Sequence, residues 1–309
     1  VTSLYNTVMI YDTMGEFTLT KGLALKCLAN FSIIGIGTPI ININSLPGKK
    51  IEIKSLSFSM KNIQFNNLGD GGNSRTFIIL TPARSASETI YYNVNIKDCS
   101  FINALDRADV FLDIIADNIN DIGNITINNN NFVNSFNPLV LSSSSSTTAV
   151  VENNIFNNKS NLCGDVYYPL NSYIALDGSF GRLKINNNDL YNVGISQANG
   201  VLNNLSINFN NFILNYDCTK NLTQNIVDIG LGTALNYSQC FFNGNSIKAT
   251  QINSSFTLTL NFIKSYRNII YSQVYNNSFY KTTYTNFGQW LDAGANLTTG
   301  TIITNNTNN

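Results

Sequence analysis

Carboxylates placed late in the turns of a repeating pattern are the side chains of this sequence best suited to chemistry. Asp113, Asp177, Asp228 and Asp292 each follow a short apolar run; Thr81 holds the equivalent position before them, and Ser142 and Asn203 hold two of the three between them, the third being unassigned. Acids therefore recur on alternate turns and never on adjacent ones. At strand spacing, neighbouring carboxylates in such a row stand roughly 9.6 Å apart, close enough for an acidic stripe that takes cations or sugar hydroxyls. The structural alternative is plain: Asp, Asn, Ser and Thr all close strand ends by accepting from a nearby backbone N–H.

The chain has no histidine. Ser-His and Cys-His nucleophile pairs, imidazole acid–base chemistry and His-ligated metals are excluded with it. Catalysis, if present, falls to carboxylates as in glycoside hydrolysis, with Asp113, Asp177 and Asp228 as the candidates. No metal site and no resident cofactor is expected, Ca²⁺ being the ion that such a row could take. Asp70 in the run Gly69–Gly72 reads as a polar turn. Exposed tyrosines (Tyr91, Tyr92, Tyr167, Tyr168, Tyr266, Tyr271, Tyr275, Tyr280 and Tyr284) suit sugars or protein interfaces, or simply cover strand faces.

The elements that position the acids come from one recurring line. In GNITINNNNFVN, Gly123–Asn134, Ile125, Ile127 and Phe132 are apolar, and asparagines fill the space between. Anchored on its bend residue, the line recurs at Phe65, Phe101, Phe132, Phe156, Leu190, Phe212, Ile247 and Phe279, at spacings of 36, 31, 24, 34, 22, 35 and 32 residues. Five positions before each anchor stands an apolar residue. Two positions before it stand Asn130, Asn154, Asn188, Asn210, Asn245 and Asn277. A period-2 strand that ends in a tight bend cannot bury its apolar face alone, whereas stacked copies can. Asparagine fits the bend because it tolerates the left-handed backbone region and because its amide can bond from one turn to the next.

This pattern resembles the right-handed parallel β-helix of the pectin-lyase-like superfamily, over roughly Leu25 to Thr304. The resemblance implies an all-β, single-domain solenoid of about nine to ten rungs with variable loop insertions. Residues 1–26 are expected to form an N-terminal cap and first strand, 27–304 the coil, and 305–309 a polar tail. Second strands follow the anchors at Phe77–Leu80, Val110–Ile114, Leu139–Leu141, Tyr173–Leu176, Gly200–Leu202, Ile226–Ile229, Phe256–Leu260 and Trp290–Leu291. The carboxylates of Asp106–Asp121 give a short helix as the rival reading there. Activity does not follow from the coil, which carries lyases, hydrolases, tailspikes, adhesins and inert fibres. The polygalacturonase signatures Asn-Thr-Asp, paired Asp, Gly-His-Gly and Arg-Ile-Lys are absent.

Charged residues make up only 12% of the chain and its net charge is zero, which argues against nucleic acid as a partner. No apolar run is long enough to span a bilayer as a helix. Ten Asn-x-Ser/Thr acceptors point to an exported glycoprotein, with Asn158, Asn221, Asn236 and Asn296 expected to be occupied. Among the five cysteines, Cys240 falls on an inward apolar column and Cys99 on the asparagine-bend column, so both are expected to be buried, while Cys163 and Cys218 lie in insertions two rungs apart and could form a disulfide. The start at Val1 and the lack of a tag suggest a mature, processed chain.

The expectation is therefore a non-catalytic extracellular or virion-surface structural protein, a spike, fibre or adhesin, from an archaeal virus or archaeal cell surface. A polysaccharide-degrading β-helix enzyme is the alternative. Partners would be neighbouring structural subunits, further copies of the chain, or glycans, and Thr301–Thr304 is the strand expected to pair outward.

Overall fold

The computed structural model describes residues 5–19, 23–43, 51–67, 78–81, 90–103, 110–116, 122–135, 137–144, 147–158, 173–198, 200, 203–230, 237–282, 284–294 and 300–309. At a few strand positions, Cys27 among them, the backbone alone is described. Strands fall into one eleven-stranded and one twenty-stranded sheet. Every pairing among the described residues is parallel. The larger sheet is two columns joined where Leu23–Ile36 and Ile51–Lys61 run unbroken from one column into the other. The result is a parallel β-helix whose full rungs contain a return strand, an entry strand, a tight left-handed bend, most often at asparagine, and an exit strand.

One rung shows why the sequence folds this way. The return strand Val110–Ala116 leads to the entry strand Ile122–Asn128, which alternates buried and outward residues so that Ile125 and Ile127 face the core. Asn129 turns the chain at φ 56°, and Asn131–Val133 leaves the bend with Phe132 inward. Extended strands stacked in register bury every second side chain, so a single period-2 pattern repeated along the chain builds one continuous core. Ile127 and Ile207 are both fully buried. The rings of Phe65, Phe101, Phe132 and Phe156 stack down the exit column with centroids 5.7, 4.7 and 4.8 Å apart.

The bend divides two jobs between adjacent residues. The left-handed turn belongs to Asn62, Asp98, Asn129, Asn153, Asn187, Phe209, Gly244, Asn276 and Asn305, with φ between 53° and 65°. The next residue, two before the anchor, does the hydrogen bonding. Asn130 Nδ2 donates to Asn154 Oδ1 (3.0 Å), Asn154 to Asn188 (3.0 Å), Asn188 to Asn210 (3.0 Å), Asn210 to Asn245 (3.1 Å), Asn245 to Asn277 (2.9 Å) and Asn277 to Asn306 (2.9 Å). Each ladder amide also satisfies backbone carbonyls, as Asn188 Nδ2 does for Val151 and Asn186 at 2.9 Å each. The ladder begins at Cys99, whose backbone N–H donates to Asn130 Oδ1 at 2.9 Å.

Several boundaries differ from the sequence reading. Tyr5–Tyr11 pairs with residues 30–36 as a strand of the entry column, and Thr307–Asn308 pairs with the exit strand Ser278–Tyr280, so coil strands lie on both sides of the expected 26/27 and 304/305 divisions. Among the described residues there are eleven exit strands, three more than the eight apolar anchors, because the outermost turns lack the full repeat line. The return strand after Leu190 is Gly194–Gln197 instead of Gly200–Leu202, since the chain turns directly at Asn192 (φ 55°). Val110–Ala116 is a strand, which removes the helical alternative there.

The first rungs are looser than the rest. A cavity of about 450 Å³ opens among Val8, Ile10, Leu25, Ile41, Ile53 and Phe65, with almost no polar lining.

Candidate functional site

The return column carries the acids, and its register decides which of them meet. Running down one outward row, Asp113 pairs with Val140, then follow Ala175, Ser196, Asp228, Lys264 and Asp292. Asp177 lies in a different row, aligned with Ser142 and Ile115 two positions further along the strands. Asp113 is four rungs from Asp228, roughly 19 Å at strand spacing and well beyond the Debye length at physiological salt. The expected alternate-rung stripe of Asp113, Asp177, Asp228 and Asp292 therefore does not form. The reason is that Asn137–Ser144 and Tyr173–Ser179 continue as strands through their polar ends, so counting from the last apolar residue slipped the register.

What forms instead is a mixed cluster on the last rungs. Lys264 stands in the row between Asp228 and Asp292, and its Nζ is 2.7 Å from Asp292 Oδ2. The same Nζ lies 5.7 Å from the centroid of the Tyr266 ring. Asn225 Nδ2 donates to Asp228 Oδ1 at 3.1 Å, and Asn261 Nδ2 donates to Asn225 Oδ1 at 3.1 Å. Asp292 Oδ1 accepts from the Gly294 N–H at 3.1 Å. Burial pushes the Asp228 carboxyl up to about 6, against the opposing pull of Asn225, Tyr266 and Lys264. Burial likewise raises the Tyr266 hydroxyl to about 12, helped by the charge and hydrogen bond of Asp228.

Such a cluster holds one proton that exchanges near neutral pH, on Asp228, beside a phenol that stays protonated there. Lys264 neutralises its acidic neighbours instead of leaving them free for a cation. Among the described residues no group of three or more His, Cys, Asp or Glu stands together to share a metal ion. Asp113 is separate. Burial raises it to about 6, and its Oδ1 is buried without a hydrogen-bond partner among the described residues. Asp177 is exposed.

Sequence reasoning missed Asn225, Asn261 and Lys264, although a signal was present. Asn225-Ile-Val-Asp228 and Asn261-Phe-Ile-Lys264 repeat the same spacing one rung apart, so that each asparagine and each charged residue pairs with its counterpart. A search for carboxylates alone passes over the second line because its charge has the opposite sign.

The remaining expected sites divide clearly. Asn158 is 3% exposed, and its backbone groups bond to Tyr191 O and Asn192 Nδ2, so burial removes it as a glycan acceptor. Asn221 is exposed and accepts from the Thr257 N–H at 2.7 Å. Asn236 and Asn296 lie outside the described residues. Cys218 is buried and disulfide-bonded, while Cys163, its expected partner, lies outside the described residues. Cys99 and Cys240 are free, buried thiols, each pushed up to about 12 by desolvation. Tyr92 is not an exposed aromatic: it is buried, its ring occupies the space a side chain at Gly123 would need, and its hydroxyl lies 2.5 Å from Thr147 Oγ1. Tyr91, Tyr280 and Tyr284 are exposed, and Tyr167 and Tyr168 lie outside the described residues.

No family model matches the chain, and no curated protein matches it. Among solved structures, the A-module of mannuronan C-5 epimerase AlgE6 from Azotobacter vinelandii aligns over 98% of this chain and 89% of its own, at 9% identity and a TM-score of 0.33. A likeness that loose carries no argument. No described helix is long and apolar enough to cross a membrane.

Proposed function

We propose that the chain is a non-catalytic structural or adhesive glycoprotein of an extracellular surface, a β-helical spike, fibre or surface-assembly subunit, on an archaeal cell or virus. The observation that carries this reading is the ladder from Asn130 to Asn306, which commits a large set of buried polar groups to holding rungs at fixed spacing. The outward polar cluster supports it as well, because Lys264 and Asp292 pair with each other and Asp228 is held by Asn225 and Tyr266. Nine Asn-x-Ser/Thr acceptors besides the buried Asn158, in a chain with 12% charged residues, fit an exported surface. Intact-mass analysis of native material should exceed the bare 34.1 kDa. A native mass equal to the polypeptide removes the glycoprotein reading.

A second reading, polysaccharide cleavage or modification, is favoured by one observation: Asp228, raised to about 6 beside Tyr266, has the proton affinity of an acid–base group. A panel of host-surface and plant glycans should show no turnover. Turnover that disappears in Asp228→Asn establishes the enzyme and overturns the structural reading.

A further inference from the structure

One turn of the bend ridge breaks the rule that the others keep. Eight of the nine left-handed bend positions from Asn62 to Asn305 are Asn, Asp or Gly, and the ninth is Phe209, at φ 57° and 62% exposed. A bulky side chain is strained in that conformation, and one left in water recovers little of the cost by burial. The ring folds over the next bend, Gly244, where a Cβ would come within 2.5 Å of its Cδ1 and 2.6 Å of its Cε1. The Phe209 N–H donates to Asn243 O (2.9 Å) and the Gly244 N–H to Tyr275 O (3.1 Å), so Phe209, Gly244 and Asn276 are successive turns of one ridge.

Asn276 opens the acceptor line Asn276-Asn277-Ser278. It is exposed, and among the described residues no hydrogen bond holds its side-chain amide. The next residue, Asn277, is fully buried and bonded into the ladder on both sides, which fixes the backbone beneath the acceptor. Other acceptors are less free. Asn158 is buried, and Asn204 Nδ2, the atom a glycan would take, donates to Gln239 Oε1 at 3.2 Å. Asn124 is exposed as well, but its neighbours in the row, Asn93 and Thr148, offer no ring.

Asn276 stands two rungs from Phe209, roughly 9.6 Å along the axis, and the Phe209 ring already reaches over the rung between them. A sugar on Asn276 Nδ2 that leans back along the ridge meets that ring across Gly244, where no side chain intervenes. The C–H face of a pyranose is apolar and slightly positive, which suits the negative face of an aromatic ring. We propose that Asn276 carries an N-linked glycan whose first sugar stacks on Phe209, with Gly244 leaving room for the contact. Attachment joins Asn276 Nδ2 to C1 of a sugar supplied as a glycosyl phosphate ester: the C1–O bond breaks, the phosphate leaves with the electron pair, and one amide proton passes to a base of the transferase. The proposal rests on the reading of the chain as an exported glycoprotein and names one attachment site with the surface that holds its glycan.

The test reads the site and the contact separately. In glycopeptide mass mapping of native material, the peptide bearing Asn276 should carry a glycan. Ser278→Ala, produced in the same source, should return that peptide to its bare mass while leaving Asn276 in its turn. Loss of this glycan should lower the thermal midpoint by about 2 °C in wild type and leave it unchanged in the Phe209→Asn background. In the unglycosylated polypeptide the two substitutions should act independently, which separates the sugar contact from any effect of Ser278 itself, whose Oγ accepts from Thr307 Oγ1 at 3.2 Å. Asn276 bare while other acceptors are occupied overturns the site and leaves the glycoprotein reading in place. Equal falls in both backgrounds overturn the stacking on Phe209. A chain bare at every acceptor removes the site and that reading together.

Discussion

The rungs bearing the ladder and the first rungs are built from the same strands, yet only the former close tightly. From Asn130 onward, each bend places an amide over the next, and the residues under it, Ile127, Val151, Ile185 and Ile207, are fully buried. In the first rungs the connection between entry and exit strands is longer: Val8 and Phe17 are nine residues apart where Ile127 and Phe132 are five. The asparagine ladder starts only later, at Asn130. The cavity of about 450 Å³ lies in these rungs. Apolar pattern makes a strand face inward, but the ladder fixes how far apart two columns stand and therefore whether the core fills.

The largest effect should come from breaking the ladder at its middle. Asn188→Leu takes the Asn188 Oδ1 acceptor from the Asn154 N–H (2.9 Å) and from the Asn154 amide (3.0 Å), which keeps the carbonyls of Ile127 and Glu152, and takes the Asn188 NH₂ from the carbonyls of Val151 and Asn186. With about 1–3 kcal/mol for each buried group left unpaired, a loss on the order of 4 kcal/mol is expected in denaturant unfolding. Asn66→Ala, at a half-buried position in the early exit strand, should cost under about 1 kcal/mol. Equal losses at the two positions would erase the distinction between the regions.

Next in size is a pH effect confined to the ladder-bearing part. Asp228 has its carboxyl raised from 3.8 to about 6, so the folded state holds the proton more tightly than the unfolded state. Its stabilising contribution is fully present below pH 4 and is lost as the pH rises through 6, by on the order of 2–3 kcal/mol. Asp228→Asn should remove its share of that slope, leaving the share of Asp113, which burial also raises to about 6, and should leave the chain more stable than wild type at pH 7. A slope between pH 4 and 6 unchanged by the substitution assigns the effect elsewhere.

A smaller gain is expected at Phe209, which takes φ 57° where other bends use Asn, Asp or Gly, and which is 62% exposed. Phe209→Asn should stabilise by about 1 kcal/mol, because a bulky side chain is strained in the left-handed region. Its ring also lies over Gly244, where a Cβ would come within 2.5 Å of it. Gly244→Ala should consequently cost less in the Phe209→Asn background than alone.

The smallest change sharpens the comparison from the other side. Ile41 sits between Phe17 and Phe65 in the exit column and lines the cavity, so Ile41→Phe should extend the phenylalanine stack into it. A rise in thermal midpoint corresponding to about 1 kcal/mol is expected. A fall would mean the first rungs are already as full as their backbone allows.

The coil was legible because its signal repeats. A period-2 strand with an apolar anchor and an asparagine two places earlier appears in so many copies that any one can be weak. Cys99, in the ladder row, and the buried Cys240 were placed correctly for that reason. The site was less legible, because outward residues carry no burial pattern to fix their register. Asp177 shifted by two positions when a strand ran on through serine and glycine, and Asn203 was aligned where the structure has Ser196. Lys264 required a long-range pairing, Asp228 with Lys264 with Asp292, that strand propensity does not encode. Asn158 looked like a loop acceptor, and the short exit strand before it kept it inside the coil.

The asparagine ladder also gives the coil an arrow. Every amide from Asn130 to Asn277 presents its oxygen to the preceding rung and its NH₂ to the following one. The side-chain dipoles therefore align along the axis instead of cancelling. The chain end of the column closes on Asn306, whose oxygen is already taken by Asn277, while the beginning is met by a donor, the Cys99 N–H. A rung added beyond Asn306 must bring an acceptor, and one inserted before Asn130 must bring a donor. Whole rungs can be gained or lost within the ladder without disturbing this polarity, whereas reversing a single amide would set two like poles face to face.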